Sequence, residues 1–402
     1  MKRAPHTVTF VWAQIAVEHA DRIAAVAERL GDTARIKVIG MAGTTRTYAA
    51  TPAADVIASV SRQTLFPGML LEDVSRWHRF VALLRATWRS RTVFMGFGYN
   101  NPDALAASWV LRALGRQIIM LSDSKFDDRR RSPAGELVKR ALLSCFSGAI
   151  VAGARNLEYF RFLGFRKRPV FPGMDTISLA RLRADATGDE GPPQPAFAKR
   201  PFLFVGRFVE VKNLRLLIEG YAVYSAQAGS AARRLVLLGA GPLEGELRKQ
   251  AAALAVDHQI DFKGFLSGRD LAREIAGSAA LVLPSASEPW GLVVNEAMAL
   301  GIPVIVSETC GARDVLVRNL ETGVVIEGGA PQSLATAMAF VGGDEDRWTG
   351  MSKAAERRAD LGDVKWFADA VELHLDPAAE PAATRNRHYR DAMRSWWGRD
   401  SF

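Results

Sequence analysis

Short apolar runs alternate with longer amphipathic stretches along most of the chain. Val8–Trp12, Arg35–Met41, Thr92–Met95, Gln117–Leu121 and Ala149–Ala152 are each too short for a helix and rich in β-formers, so they read as strands. Between them, Ile15–Leu30, Glu72–Trp88, Pro102–Leu114, Pro133–Phe146 and Asn156–Leu163 read as helices, while the stretch up to about Pro67 is less regular. Residues 185–199 break the rhythm with a Pro/Gly-rich composition that reads as a linker. A second alternation follows, with strands at Phe202–Val205, Leu235–Leu238, Ile260–Phe262, Ala279–Leu283, Val304–Val306 and Val324–Ile326. Its helices are Leu214–Gln227, Leu243–Val256, one after Ser267, Leu292–Leu300, Gln332–Phe340 and the run from about Asp344 to His374. Alternation of this kind predicts an α/β protein with two Rossmann-like parallel sheets, ligands lying beyond the carboxyl ends of the strands. The predicted division is a first domain over 1–184, the linker at 185–199, a second domain over 200–376, and a tail over 377–402.

The most informative stretch runs from Ser285 to Gly301. An apolar strand leads into a loop containing Pro284 and Pro289, and a helix follows, with Glu288 and Gly291 in the loop and Glu296 in the helix's opening turns. Unpaired N–H groups near Gly291 and Leu292, together with the positive end of the helix, suit a diphosphate. Glycine at 291 lets a ligand approach the backbone. Two flanking carboxylates could accept hydrogen bonds from sugar and ribose hydroxyls. By composition alone, an ordinary polar loop residue and an exposed helix residue would look the same.

Glu288, seven residues and then Glu296, set within Glu-Pro-Trp-Gly-Leu-Val-Val-Asn-Glu-Ala-Met-Ala-Leu-Gly-Ile-Pro-Val-Ile, closely resembles the E-x7-E segment of retaining GT-B glycosyltransferases of the family 4 type. The resemblance implies the GT-B fold, two Rossmann-like domains facing a cleft. It places Glu288 beside the transferred sugar and Glu296 on the ribose. Gly206-Arg207 followed by Lys212-Asn213-Leu214 resembles the family's Gly-Arg-x-x-x-x-Lys-Asn-Leu, whose Arg and Lys grip the donor phosphates. Two cations at the end of a strand would neutralise a departing diphosphate, which is why Arg207 and Lys212 join Glu288 as the expected catalytic groups. Gly239-Ala240-Gly241-Pro242 looks like the family's Gly-x-Gly-Pro turn; Glu244 stands where a dinucleotide fingerprint needs its third glycine. Gly264 and Phe265 occupy the place where the family meets the base. Gly311-Ala312-Arg313 matches a glycine loop near the donor, with Arg313 read as structural. The expected donor-binding residues are therefore Glu296, Gly291, Leu292, Gly206, Gly264, Phe265 and Gly241.

The first domain departs from that pattern. Its first loop, Ala13-Gln14-Ile15-Ala16, lacks a Gly-Gly pair, and Ser122-Asp123-Ser124-Lys125 lacks a histidine. Gln14, Asp123, Lys125 and Asn100 stand at the right ends of strands to line the acceptor side, and His19 reads as a packed or solvated helix residue. None of these is given a catalytic role.

Charge narrows the partners. Residues 1–199 carry a net +12 and the remainder −3, out of +9 for the 402-residue chain. A solvated surface, a nucleic-acid face and an anionic lipid or acceptor compete as explanations. Nucleic acid is not expected, since no RRM, KH or helix-turn-helix signature is present. No apolar run approaches the roughly 20 residues needed to span a bilayer. Cys145 and Cys310 are the only cysteines, so no disulfide framework or zinc cluster is expected. A cytoplasmic location follows as the simplest expectation, with contact to an anionic membrane surface possible through the basic first half or through Tyr389, Trp396 and Trp397 in the tail.

The expected activity is metal-independent, retaining transfer of a sugar from a UDP- or GDP-sugar to a saccharide or lipid-linked acceptor in cell-surface polysaccharide or glycolipid synthesis. No tightly bound cofactor and no GT-A-type metal site are expected. A glycosidase would set its carboxylates across the scissile bond, and a phosphorylase would show a lysine motif for a pyridoxal cofactor. A catalytically silent GT-B partner of a membrane-surface complex is the alternative from another class.

Overall fold

The computed structural model describes residues 6–44, 60–128, 130–188 and 195–379. The linker reading at 189–194 and most of the tail, including Tyr389, Trp396 and Trp397, lie outside the described residues.

The chain divides into two compact units, one comprising residues 1–176 and 364–402, the other residues 177–363. In the first, β1 (His6–Trp12), β2 (Ala34–Thr44), β3 (Ser61–Leu70), β4 (Thr92–Met95), β5 (Gln117–Ser122), β6 (Gly148–Val151) and β7 (Val170–Pro172) form one sheet in the order β3-β2-β1-β4-β5-β6-β7. All its pairings are parallel. Helices α1 (Val17–Leu30), α2 (Arg76–Thr87), α3 (Pro102–Ala113), α4 (Pro133–Leu142) and α5 (Ala154–Phe160) connect the strands. Successive strand residues point to opposite faces: Val11 and Met95 join one buried cluster, Phe10 and Phe94 the other. Both faces are thus covered, as a parallel sheet requires.

In the second unit, β8 (Phe202–Val205), β9 (Leu235–Leu238), β10 (Ile260–Gly264), β11 (Ala280–Leu283), β12 (Val304–Ser307) and β13 (Gly323–Ile326) pair in parallel in the order β10-β9-β8-β11-β12-β13. Its helices are α6 (Leu179–Thr187), α7 (Leu214–Ala228), α8 (Glu244–Ala253), α9 (Gly268–Ala276), α10 (Leu292–Ala299), α11 (Pro331–Gly342) and α12 (Glu345–Ala359). The strand order reverses between β8 and β11 here, and between β1 and β4 in the first unit. In doubly wound sheets such reversals open a crevice at the carboxyl ends of the strands, where ligands bind.

Three elements go beyond the expected alternation. Pro67 and Gly68 mask β3, which is tolerated because β3 is an edge strand whose register shifts between Ala42 and Thr44. Strand β7 is only three residues long, at the other edge. Helix α6 starts on a Ser178 N-cap, its hydroxyl accepting from the Arg181 N–H at 3.2 Å.

The boundaries also shift. Helix α6 packs on α9 in the second unit, although 1–184 was expected to be the first domain. The last helix, α13 (Lys365–Leu375), lies in the first unit rather than in a second domain running to 376. Phe367 and Val371 of α13 join the cluster around Phe10, and Arg29 of α1 pairs with Asp369 and, at 2.9 Å, with Glu372. A helix's own periodicity says that it needs an apolar partner but not which sheet supplies it.

Candidate active site

The second unit's crevice is built from turns that only glycine fits. Gly206 N–H donates to Leu238 O at 2.9 Å, Phe208 N–H to Ala240 O at 2.9 Å, and Gly239 N–H to Gly264 O at 2.7 Å. A Cβ on Gly239, at φ +137°, would lie 1.9 Å from Gly206 O, and one on Gly241 2.4 Å from Phe208 O. Gly206, Gly241 and Gly264 are therefore neighbours at the carboxyl ends of β8, β9 and β10, holding backbone against backbone. Arg207 and Phe265 stand exposed on these turns.

On the other side of the strand-order reversal, the loop after β11 is tied to the loop after β8. Ala286 N–H donates to Val211 O at 2.9 Å, and Asn213 Nδ2 to Pro284 O at 3.3 Å. Asn213 holds a left-handed conformation, φ 55° and ψ 41°, where the chain turns into α7. That turn brings the half-buried Lys212 against Glu288: the Lys212 Nζ forms an ion pair with Glu288 Oε2. Glu288 is 7 % exposed, and Ser285 Oγ donates to the same Oε2 at 3.0 Å. Residues 76 apart in sequence thus form one charge-assisted pair.

The loop is held from below as well. Gly311 N–H donates to Glu288 O and Ala312 N–H to Trp290 O, each at 3.0 Å, while Ser307 and Thr309 both donate to Ser285 O at 2.7 Å. A Cβ on Gly311 would meet Pro289 O at 1.9 Å. The glycine loop at 311 thereby acts as a backbone clamp on the Glu288 loop. Arg313 bonds its neighbour Asp314 at 3.3 Å.

Gly291, at φ 96° and ψ 66°, is the N-cap of α10, and no side chain caps that helix. Val294 N–H turns back to Gly291 O at 2.8 Å, and among the described residues no side chain caps the Leu292 and Val293 N–H groups, the two donors a ligand or water could meet. Glu296 sits half-buried in the second turn. Between the two glutamates, the buried Asn295 accepts from Trp290 Nε1 at 2.9 Å and donates to Gly362 O at 3.4 Å. Ser285, Trp290, Asn295, Ser307 and Thr309 carry no expected role in the sequence reading, because their value lies in which backbone atoms they reach. No Asp-x-Asp motif was expected, but Asp344-Glu345-Asp346 is such a triplet and starts α12: Asp344 Oδ1 accepts from the Arg347 N–H at 2.6 Å, and all three residues are exposed.

The four acceptor-side candidates have separate fates within the first unit. Lys125 is fully buried, its Nζ 2.7 Å from Asp128 Oδ1 and 3.5 Å from Asp127 Oδ1, so in this structure its charge is engaged by those carboxylates. A flexible cation beside two aspartates closes on them when no larger partner competes. Gln14 is 8 % exposed, and its Oε1 meets no donor among the described residues. Asp123 is half-buried, its carbonyl accepting from Asn156 Nδ2, and Asn100 is exposed in the turn after β4. His19 is a packed residue: its Nδ1 accepts from Ala16 N–H at 3.0 Å, and burial, then Arg22, hold its pKa well below 6.5. Asp175 is buried 3.6 Å from Arg22, and burial followed by the charge of Asp123 raises its carboxyl well above the usual range.

Residues 193–358 match the family described as Glycosyl transferases group 1. The fold is GT-B. The structure of Anabaena HepE in complex with UDP and glucose superposes with a TM-score of 0.69 at 16 % identity, covering 92 % of this chain and 100 % of that one. Sucrose-phosphate synthase from Thermosynechococcus elongatus superposes with a TM-score of 0.68 at 18 % identity, covering 93 % and 100 %. In sequence, the D-inositol 3-phosphate glycosyltransferase of Streptomyces coelicolor is 30 % identical over 267 residues, which are 65 % of this chain and 56 % of that protein. The chain spans about half the length of the curated relatives it matches.

Proposed function

We propose that the protein is a retaining, metal-independent glycosyltransferase of the family 4 type that moves a sugar from a nucleotide-sugar to a saccharide or lipid-linked acceptor. The observation that carries the reading is the Lys212–Glu288 pair at the β8/β11 reversal, beside the uncapped start of α10. A nucleoside diphosphate there would lay its phosphates against the α10 amides, Lys212 and Arg207. Its ribose would reach Glu296, and the base would lie along Gly264 and Phe265. Glu288, released from Lys212 as the phosphates take over that cation, would orient the sugar. UDP is the favoured carrier, in keeping with the UDP complexes of the structural neighbour HepE.

As the bond from the anomeric carbon to the diphosphate oxygen breaks, negative charge grows on that oxygen. Prepositioned N–H groups and cations then bind the transition state more tightly than the ground state. The acceptor hydroxyl attacks on the same face, the new carbon–oxygen bond forms, and the departing phosphate oxygen takes the hydroxyl proton. Synthesis of cell-surface polysaccharide or glycolipid is the setting this reading favours.

A thermal-shift panel of UDP-, GDP-, ADP- and dTDP-sugars, followed by hydrolysis of the labelled donor, tests the reading. A donor present at 100 times its Kd should stabilise the fold by about 2.7 kcal/mol. Binding by none of them would leave a silent GT-B partner as the better description. Turnover should survive EDTA; loss on chelation would remove metal independence.

A further inference from the structure

In the first unit, α4 is turned inside out. Its polar residues Glu136 and Lys139 are buried, while Leu137 is 67 % and Val138 59 % exposed. The orientation is pinned from within: Tyr159 donates to Glu136 Oε2 at 2.6 Å, and both Lys139 and Arg131 donate to the Tyr159 hydroxyl. The apolar stripe therefore cannot roll inward without breaking that network.

The stripe is continuous with its neighbours. Trp109 Nε1 donates to Leu142 O at 3.1 Å, and Phe126 and Phe162 meet edge to face, 5.8 Å between ring centres. Trp109, Phe126, Leu142 and Phe162 are all exposed. Arg140 lies along Gly164, two residues after Phe162, and the exposed Arg166 and Lys167 follow in sequence; the exposed acids of the region are Glu158 on α5 and Asp127 beside Phe126, the latter paired with Arg155 at 2.5 Å. Water-facing monomers rarely leave so many large apolar side chains contiguous. An apolar face with an excess of cations over acids on the same segments matches the interfacial zone of an anionic bilayer, where acyl chains take the one and headgroups the other. Among the described residues no helix is long and apolar enough to cross a membrane, so the contact would be peripheral.

We infer that this face of α4, with Phe126 and Phe162, docks the protein onto an anionic lipid surface. It deepens the proposed function by placing a lipid-linked acceptor's membrane against the first unit, yet it stands or falls without the donor site.

Co-sedimentation of the full chain with phosphatidylcholine vesicles, with and without phosphatidylglycerol, tests the assignment. The wild-type chain should pellet with the anionic vesicles and be released by salt. Leu137→Glu combined with Phe162→Glu should weaken this at least about tenfold, and Arg166→Glu with Lys167→Glu by about fivefold per residue. These positions are exposed, so circular dichroism and donor-induced thermal shift should stay at wild-type values and separate lost docking from a failed fold or donor site. Equal binding to both vesicle types, or variants that bind like wild type, overturns the inference. So does binding abolished by Trp396→Ala with Trp397→Ala while the α4 variant still pellets. A chain that ignores vesicles but dimerises in sedimentation velocity, and is made monomeric by Leu137→Glu, would make the face a contact between copies instead.

Discussion

At the scale of single residues, the chemistry rests on how one carboxylate and one ammonium are held. Glu288 is nearly buried and receives both Lys212 and Ser285, so its orientation is set before any ligand arrives. Lys212→Ala and Glu296→Ala should each lower transfer by about two to three orders of magnitude, the range for losing one charge-stabilising group. Steady-state kinetics with labelled donor measures it, and near-native kcat in both variants would refute the assigned roles. Ser285→Ala removes one hydrogen bond to a charged group, worth about 1.5–3 kcal/mol. If the buried Ser285 acts through Glu288, to which it donates at 3.0 Å, the loss should appear in kcat more than in KM. A change in KM alone would place the serine elsewhere. Lys212 and Glu288, which the structure brings together, are singled out by the resemblance; Ser285 is not, because a serine beside a proline in a loop announces no partner.

At the scale of elements, glycines without side chains define the crevice. Gly311 presses on Pro289 O, and any Cβ there must displace the loop that carries Glu288. Gly311→Ala should destabilise the fold by about 1–3 kcal/mol, the usual cost of overpacking, and lower activity with it. In α8, Gly245 meets nothing within 4 Å, so Gly245→Ala should instead stabilise by about 0.4–1 kcal/mol. Urea titration of both variants checks the contrast; equal effects would mean that the 311 contact is slack. Strands and helices with strong periodicity were readable in advance. Strand β3 was not, since Pro67 and Gly68 contradict a strand until an edge position excuses them. Lys125 shows a related limit: the end of a strand is a natural place for a substrate contact, but the pairing of its side chain with Asp128 three residues later was not legible from that position.

At the scale of the whole molecule, the chain leaves the first unit after Thr176 and returns to it at Val364. His374 on the returning α13 is buried, its Nε2–H donating to Ala149 O at 3.1 Å, and burial pushes its pKa down to about 4. The unfolded chain protonates near the ordinary value of 6.5 while the folded state resists. The contribution of neutral His374 is therefore complete above 6.5 and falls away as pH drops toward 4, reaching about 3 kcal/mol in all. Asp175 works in the opposite direction, since its raised carboxyl favours the folded state as pH falls. Comparison of variants isolates the histidine: His374→Phe should lose less stability than wild type between about pH 7 and pH 5, with about 2 kcal/mol of the difference removed. Identical acid limbs in thermal melts would sink this reading.

What the order of residues settled unaided was local: short apolar runs that can only be buried strands, amphipathic stretches that need a sheet to lie on, and the spacing of Glu288, Glu296, Arg207 and Lys212. Local interactions reach a few residues, and those features are a few residues wide. Which sheet receives α13, which loop Lys212 meets, and which face of α4 is turned to water depend on partners tens to hundreds of residues away. There the outcome goes to whichever contact buries most apolar surface while leaving fewest polar groups unpaired, and only the folded chain brings those competitors together.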